Sequence, residues 1–330
     1  MRDRPDHDTI VSFLEFFAKG TCLVIGLLLL KQIAQLFVCI FLGWLAVRCR
    51  LLRPEDSRVL SVVTLYLVTP CLIVGAFQIE CTPDMLRGLA LSLGAAVLIH
   101  VILFALTALC RRPLHLNAVE QASVIYSNAG NLIIPIVTAI LGKEWVIFTS
   151  MFIIVQLPLL WSHCRFLLSG EKSFSWKKVL GNVNILSILV GAVLFFLGIP
   201  LPSVVTGAMD SMSAMIGPLS MIVAGMLMGG IDLKHIFVLP SIWKVAALRL
   251  VVFPLVLLAV LKFSGLAALA PDGETILLVS FLAAITPAAS TVTQMAQVYG
   301  PDGTYAGAIN VSTTLLCIIT MPLIITLYQL

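Results

Sequence analysis

The chain has 330 residues, of which 60% are hydrophobic and only 11% are charged, and its formal net charge is +4. Soluble globular proteins are nearer half apolar and a quarter charged, so this composition excludes a soluble enzyme or binding domain. The apolar runs are continuous rather than alternating, which argues against a transmembrane β-barrel. The composition therefore predicts an all-α polytopic membrane protein.

Ten apolar runs are long enough to cross a bilayer, which takes about 20 residues of helix. They span residues 30–49, 57–78, 87–109, 119–141, 145–168, 180–200, 204–229, 237–261, 275–298 and 304–328. Residues 1–29 form a polar to amphipathic extension, which we interpret as an interfacial helix, with a short eleventh span as the alternative. The connections between runs are short, and none could form a soluble domain.

Basic residues gather in alternate loops. Four arginines lie around the first connection and four basic residues around the fifth, whereas the second, fourth, sixth and eighth connections hold one basic residue or none. Because Lys and Arg favour the cytoplasmic side, this pattern predicts a cell-membrane protein with both termini outside. Arg2, Arg4 and Lys19 argue mildly against that orientation.

The eight cysteines are scattered and include no C-x-x-C pair, so neither a disulfide framework nor a metal site is expected. The sequence contains no H-E-x-x-H, G-x-S-x-G or Walker A motif. We therefore predict that the protein is not an enzyme, uses no cofactor and binds no nucleic acid.

Prolines recur at a nearly constant offset between the two halves of the chain. Pro218 follows Pro70 by 148 residues, and Pro287 follows Pro135 by 152. Five spans per half is an odd number, so the halves would lie upside down relative to each other, as in many secondary transporters. The predicted division is a first repeat at 30–168, a linker at 169–179 and a second repeat at 180–330.

The fourth span contains the sequence S-N-A-G-N-L-I-I-P-I at residues 127–136. Gly130 and Pro135 both disfavour a continuous helix, so we expect the span to break near the bilayer midplane. Broken backbone at that depth requires protein or a water-filled cavity beside it. The freed N–H groups attract anions, and Asn128 and Asn131 add donors and acceptors.

The ninth span offers a matching break at Pro287, followed by polar side chains. These are Ser290, Thr291, Thr293 and Gln294. Two breaks that cross at the centre would form a polar binding site for a small anion inside an apolar protein. The alternative is a pair of kinked structural helices whose polar side chains bond to neighbouring carbonyls.

Five other polar residues lie within predicted spans. Arg249 is a buried cation that could attract an anion or pair with a carboxylate. Asp210 is either the partner of a cation or an interfacial residue, and His100 is either a proton relay or locally bonded. Gln156 and Asn310 either line the site or form interhelical hydrogen bonds. No acidic residue lies clearly at the bilayer centre.

Several segments resemble the auxin efflux carrier family of membrane transporters, in its bacterial branch. NAGNLIIPIVTAILG is similar to the family element N-x-G-N/T-x-x-x-P, and ITPAASTVTQMAQVYG is similar to its second crossover helix. TTLLCIITMPLIITL resembles the final helix, and LGWLAVRCRLLRPEDSRVLSVVTLYLVTPCLIV resembles the first two helices. The resemblance covers most of residues 33–330.

The resemblance implies ten helices in two inverted five-helix repeats, with a crossover domain that moves past a scaffold domain. It implies transport of small organic anions such as indole-3-acetate, malate or malonate. The substrate carboxylate would lie where helices 4 and 9 cross, at Asn128, Gly130, Asn131, Pro135 and Pro287. The coupling ion, a proton or sodium, stays open, and so does the oligomeric state, for which a homodimer is one alternative.

The prediction is therefore a secondary active transporter of a small organic anion that works by elevator-type alternating access. One alternative is a sodium-coupled symporter of the bile-acid type. The other is a membrane sensor that binds its ligand on a transporter fold without moving it.

Overall fold

The computed structural model describes residues 31, 34–78, 86–129, 132, 133, 136, 137, 141, 145–170, 183–230, 239–300 and 302–329. Within this part of the chain, the regular elements are all helical, apart from one isolated β-bridge. The N-terminal extension and most of the linker predicted at 169–179 lie outside it.

Eleven helices are named here in chain order. They are α1 (Ala34–Arg48), α2 (Pro54–Gly75), α3 (Leu86–Arg111), α4 (Ala118–Ile125), α5 (Ile147–Ser169), α6 (Val183–Phe196), α7 (Ser203–Gly229), α8 (Pro240–Phe263), α9 (Gly273–Ile285), α10 (Ser290–Tyr299) and α11 (Gly303–Gln329). Of the described helices, six are long and apolar enough to cross a membrane, namely α2, α3, α5, α7, α8 and α11. A polytopic helical membrane protein is confirmed, and the ten-span inverted repeat stays a prediction.

Three of the long helices contain a π-helical turn. The turns are Thr64–Val68 in α2, Leu160–Cys164 in α5 and Leu248–Val252 in α8. A proline lies two residues outside each turn. Proline lacks an N–H group and clashes with the turn that precedes it in the helix, and the wider winding before Pro70 and Pro254 relieves that clash. The turn in α5 carries His163, and the turn in α8 carries Arg249.

Helices 4 and 9 of the predicted set are both interrupted. Helix α4 ends at Ile125, residues 126–128 are non-helical, and helical structure resumes at Ala129. We call residues 126–128 the first break. It lies N-terminal to Gly130 and Pro135, which were expected to form the interruption and which lie outside the described residues. The position of the first break has a physical cause, because Ser127 gains backbone partners from elsewhere in the fold, as described below.

The second break, residues 286–289, separates α9 from α10 and contains Pro287. After it, α10 packs against α2, α7 and α11. Each break therefore follows the C-terminal end of one helix, and helical structure resumes after it at Ala129 and at Ser290, inside the bundle.

Helices α1 and α7 lie in close backbone contact because glycines face the contact from both sides. A Cβ atom on Gly225 would collide with the backbone carbonyl of Ile40, and one on Gly43 would collide with that of Ile222. Small residues at four-residue spacing allow such close approach between membrane helices. This contact fixes α1 on α7, beside α10.

Candidate functional site

The two breaks cross each other as a minimal antiparallel pair, with Ser127 opposite Ala288. The Asn128 N–H donates to the Pro287 carbonyl at 2.9 Å, and the Ala289 N–H donates to the Tyr126 carbonyl at 3.0 Å. Buried backbone groups need hydrogen-bond partners. Each break therefore supplies partners that the other break needs.

The outer edge of the first break is satisfied by one side chain. The Gln156 amide oxygen accepts from the Ser127 N–H at 3.0 Å and from its hydroxyl at 2.8 Å. The Gln156 amide nitrogen donates to the Ser127 carbonyl at 3.0 Å. Gln156, on α5, was predicted either to line a site or to bond between helices, and the structure places it on the break backbone.

Two side chains of α11 do the same for the second break. Asn310 donates from its amide nitrogen to the Ala288 carbonyl at 2.7 Å. Thr313 accepts at its hydroxyl oxygen from the Ala288 N–H at 3.2 Å. Both side chains are fully buried. The two breaks are thus held by polar side chains from α5 and α11.

Arg249 binds the C-terminal ends of α4 and α9 together. Its Nη1 donates to the Val124 carbonyl at 3.0 Å and to the Ile125 carbonyl at 3.4 Å. Its Nη2 donates to the Ala284 carbonyl at 2.6 Å and to the Thr286 carbonyl at 2.9 Å, and its Nε donates to Thr286 at 3.1 Å. Only 1% of the residue is exposed. Helix C-termini carry unpaired carbonyls and partial negative charge, so this guanidinium satisfies and neutralises both ends.

The opposite, N-terminal ends meet at the same crossing, where helical structure resumes at Ala129 and at Ser290. Helix N-termini carry partial positive charge. The Ser290 hydroxyl lies 3.4 Å from the Asn128 side-chain oxygen. Among the described residues, Glu120 is the one buried acidic residue, and it pairs with Lys244 at 3.3 Å near the start of α4.

The remaining predicted site residues are placed differently. Gln294 is buried and donates to the Ser220 hydroxyl of α7 at 2.9 Å. Thr291 is half-buried in the first turn of α10, whereas Asp210 is exposed on α7 and forms no ion pair with a described residue. Three predicted residues, Gly130, Asn131 and Pro135, lie outside the described residues.

His100 and Tyr126 also lie close to the crossing. The His100 Nδ1 is 2.7 Å from the Ala96 carbonyl, and its ring packs 4.9 Å from that of Phe152. Tyr126 is fully buried and was not predicted as a site residue. Its hydroxyl lies between the Leu159 carbonyl and a histidine of α5. This contact bridges more than 30 residues, so no local sequence pattern indicates it.

Helix α10 is attached to α2 by polar contacts that the sequence also did not indicate. The Gln297 side chain accepts from the Ser61 hydroxyl at 2.7 Å and donates to the Ser57 hydroxyl. The hydroxyls of Tyr66 and Tyr299 are hydrogen-bonded to each other. These five residues form the α2–α10 contact, which holds the C-terminal part of α10 against α2.

Comparison with protein families gives one result for the whole chain. The model of a family described as membrane transport protein matches residues 28–174 and again residues 170–325. No curated protein matches the chain. The two family matches together cover both breaks and the described helices, except for the part of α11 beyond residue 325.

Proposed function

The chain belongs to the auxin efflux carrier family of membrane transport proteins, and from that premise we propose that it is a secondary active transporter of a small organic anion. The observation that carries the proposal is the charge arrangement at the crossing. Arg249 neutralises the C-terminal ends of α4 and α9. The N-terminal ends have no such partner among the acidic side chains of the described residues.

An anionic group would complete this arrangement. A carboxylate accepts several N–H bonds, and a helix N-terminus offers N–H groups and partial positive charge together. We place the substrate carboxylate beside Asn128 and Ser290, with Asn131, Gly130 and Thr291 around it. Pro287 keeps the backbone near this site from pairing as a regular helix, since proline has no N–H to donate, and we propose the same role for Pro135.

The proposed cycle is alternating access. The moving unit consists of α3 to α5 and α8 to α11, because these helices hold the breaks or, in the case of α3, pack on α5 and α9. It moves past α1, α2, α6 and α7. The α2–α10 contact, together with the Gln294–Ser220 bond, would separate once in each cycle. The polar character of these contacts supports that role, because hydroxyl and amide groups exchange protein partners for water at modest net cost.

The arrangement in the membrane follows the sequence pattern. We propose two inverted repeats, and the boundary between the two family matches at 170–174 supports a division near the linker at 169–179. The basic loops support a cell-membrane orientation with both termini outside. A homodimer and the identity of the coupling ion belong to the same proposal.

Ligand-induced stabilisation tests the site. The purified protein is heated with a panel of monocarboxylates and dicarboxylates, and a ligand at a hundred times its Kd should stabilise the native state by about 2.7 kcal/mol. Asn128→Ala should remove the shift. Asn117→Ala is the matched control, since Asn117 caps the far end of α4 and its loss should lower stability without removing the shift.

Two outcomes would overturn the assignment. A shift that persists in Asn128→Ala moves the substrate away from the crossing. If none of the acids stabilises the wild-type protein, the substrate is not one of these organic anions. Uptake that requires sodium would favour the bile-acid type of symporter, and binding without uptake would favour a sensor.

A further inference from the structure

His163 lies in the π-helical turn of α5 and is hydrogen-bonded to Tyr126. The Tyr126 hydroxyl is 3.0 Å from the Leu159 carbonyl and 2.9 Å from the His163 Nδ1. A hydroxyl has one hydrogen, and a carbonyl can only accept. Tyr126 therefore donates to Leu159 and accepts from the His163 Nδ1–H, which leaves the lone pair of the neutral imidazole on Nε2.

The imidazole is placed where a proton can reach it. The ring of His163 is half-buried, and no described residue hydrogen-bonds to its Nε2. It lies six residues before the end of α5 at Ser169, which corresponds to about 9 Å of helix rise. The edge of the Phe104 ring packs 4.7 Å away and fixes the orientation of the imidazole.

Tyr126 connects this imidazole to the crossing. Its side chain is fully buried, and its backbone is part of the first break. The Tyr126 carbonyl accepts from the Ala289 N–H at 3.0 Å. A charge that appears on His163 therefore acts, through one residue, on the backbone that joins the two breaks.

No charged side chain faces the ring of His163 among the described residues. Tyr126 of the first break and Phe104 of α3 face the ring, and both are uncharged. On its own helix, Cys164 is a fully buried thiol, and the Arg165 guanidinium lies over the Tyr299 ring of α10 at 5.2 Å. A proton on His163 thus has no acidic partner among the described residues packed around it.

His100, the other histidine near the crossing, is less suited to gain a proton. Its Nδ1 bonds within its own helix, and only 2% of the residue is exposed, whereas the ring of His163 is half-buried. A positive charge on so deeply buried a group is costly because no water solvates it. The two histidines therefore differ in a way that can be tested by matched substitutions.

We propose that His163 is the proton-binding site of this protein and that the organic anion is carried together with a proton. This inference rests on the transport function proposed above and names its coupling ion. A proton from the aqueous phase forms a bond to Nε2 and no other bond breaks. The Nδ1–H···O bond to Tyr126 persists and becomes charge-assisted, which strengthens it.

The positive charge and the bound anion then stabilise each other. If protonation of His163 raises anion affinity, anion binding must raise proton affinity by the same factor. The proton and the anion together carry one unit less negative charge than the anion alone. Transport of a monocarboxylate would therefore be electrically neutral, and a proton gradient could drive its accumulation.

The first test measures the proton site without any substrate. Protein labelled with ¹⁵N-histidine is titrated by NMR from pH 8.5 to pH 4.5, and His163→Asn assigns the signal. The ¹⁵N signals of the His163 imidazole should change from those of the neutral ring to those of the protonated ring within this range. A signal that stays neutral throughout would overturn the proposal, whatever the protein transports.

The second test measures coupling. Anion affinity should rise about tenfold from pH 8 to pH 5.5, which is a coupling of ordinary size. In His163→Asn, whose amide N–H can replace the Nδ1–H bond to Tyr126, affinity should be retained at pH 8 and lose its pH dependence. His100→Asn is the matched control and should keep the dependence.

The outcomes separate this inference from the proposed function. Titration of His163 without binding of any anion would leave the proton site intact and overturn the proposed function. Anion binding with the same pH dependence in His163→Asn as in the wild type would overturn the proton site and leave the proposed function intact.

Discussion

Replacement of Arg249 by lysine should destabilise the protein strongly although the charge is kept. The guanidinium makes five contacts with four buried carbonyls, whereas an ammonium group has three donors. Three donors can reach at most three of the four carbonyls, so at least one carbonyl loses its partner, and a buried carbonyl without its partner costs about 1–3 kcal/mol. Arg249→Lys should therefore lower the free energy of unfolding by at least about 1–3 kcal/mol.

The assay is unfolding in mixed micelles followed by tryptophan fluorescence, with Arg165→Lys as the control. Arg165 is half-buried and its guanidinium lies over the Tyr299 ring, a cation–π contact that the ammonium group of a lysine can also make. If Arg249→Lys unfolds at the same denaturant concentration as Arg165→Lys, the guanidinium does not hold the two helix ends, and the account of the crossing fails.

Three further predictions concern packing and motion. Gly225→Ala should lower thermal stability, because the added Cβ collides with a backbone carbonyl of α1. The control Gly94→Ala places its Cβ in open space and should leave stability unchanged or raise it by up to about 1 kcal/mol. Equal melting temperatures of the two variants would contradict the close helix contact. Ser61→Cys combined with Gln297→Cys, joined by a short bifunctional thiol reagent in a background without native cysteines, should block transport, and undiminished flux would show that α10 does not leave α2. Pro287→Ala should slow exchange more than it weakens anion binding, and equal exchange rates would assign the proline a purely structural role.

The sequence predicted the class of protein and the second of the two breaks. Composition alone indicated a helical membrane protein, and the prolines and polar runs indicated interrupted spans. The second break contains Pro287, as expected, because a proline acts on the helix that holds it. Its effect is local and can be read from neighbouring residues.

The first break, at residues 126–128, was not predicted at that position. Gly130 and Pro135 were the local signals in the sequence, and they lie outside the described residues, so their effect on the helix stays a prediction. The backbone of the first break is satisfied by Gln156, which is 29 residues further along the chain, and by the second break. Those partners come together only in the fold, so no local pattern marks residues 126–128 as an interruption.

The partners of buried polar residues were also hidden in the sequence. Arg249 was expected to meet an anion or a carboxylate, and in the structure it meets backbone carbonyls. Tyr126 and His163 were not considered, because these two residues lie 37 positions apart in sequence and meet only in the fold. Sequence patterns report which residues are unusual, whereas the geometry decides which groups they meet.

The most direct test of the account is counterflow in proteoliposomes. Vesicles loaded with an unlabelled carboxylate should take up the same labelled acid transiently when they contain the wild-type protein or Asn117→Ala. Vesicles that contain Asn128→Ala should not. Labelled uptake by Asn128→Ala at the wild-type rate would contradict a substrate site at the crossing, and a wild-type protein that exchanges no carboxylate would contradict organic-anion transport itself.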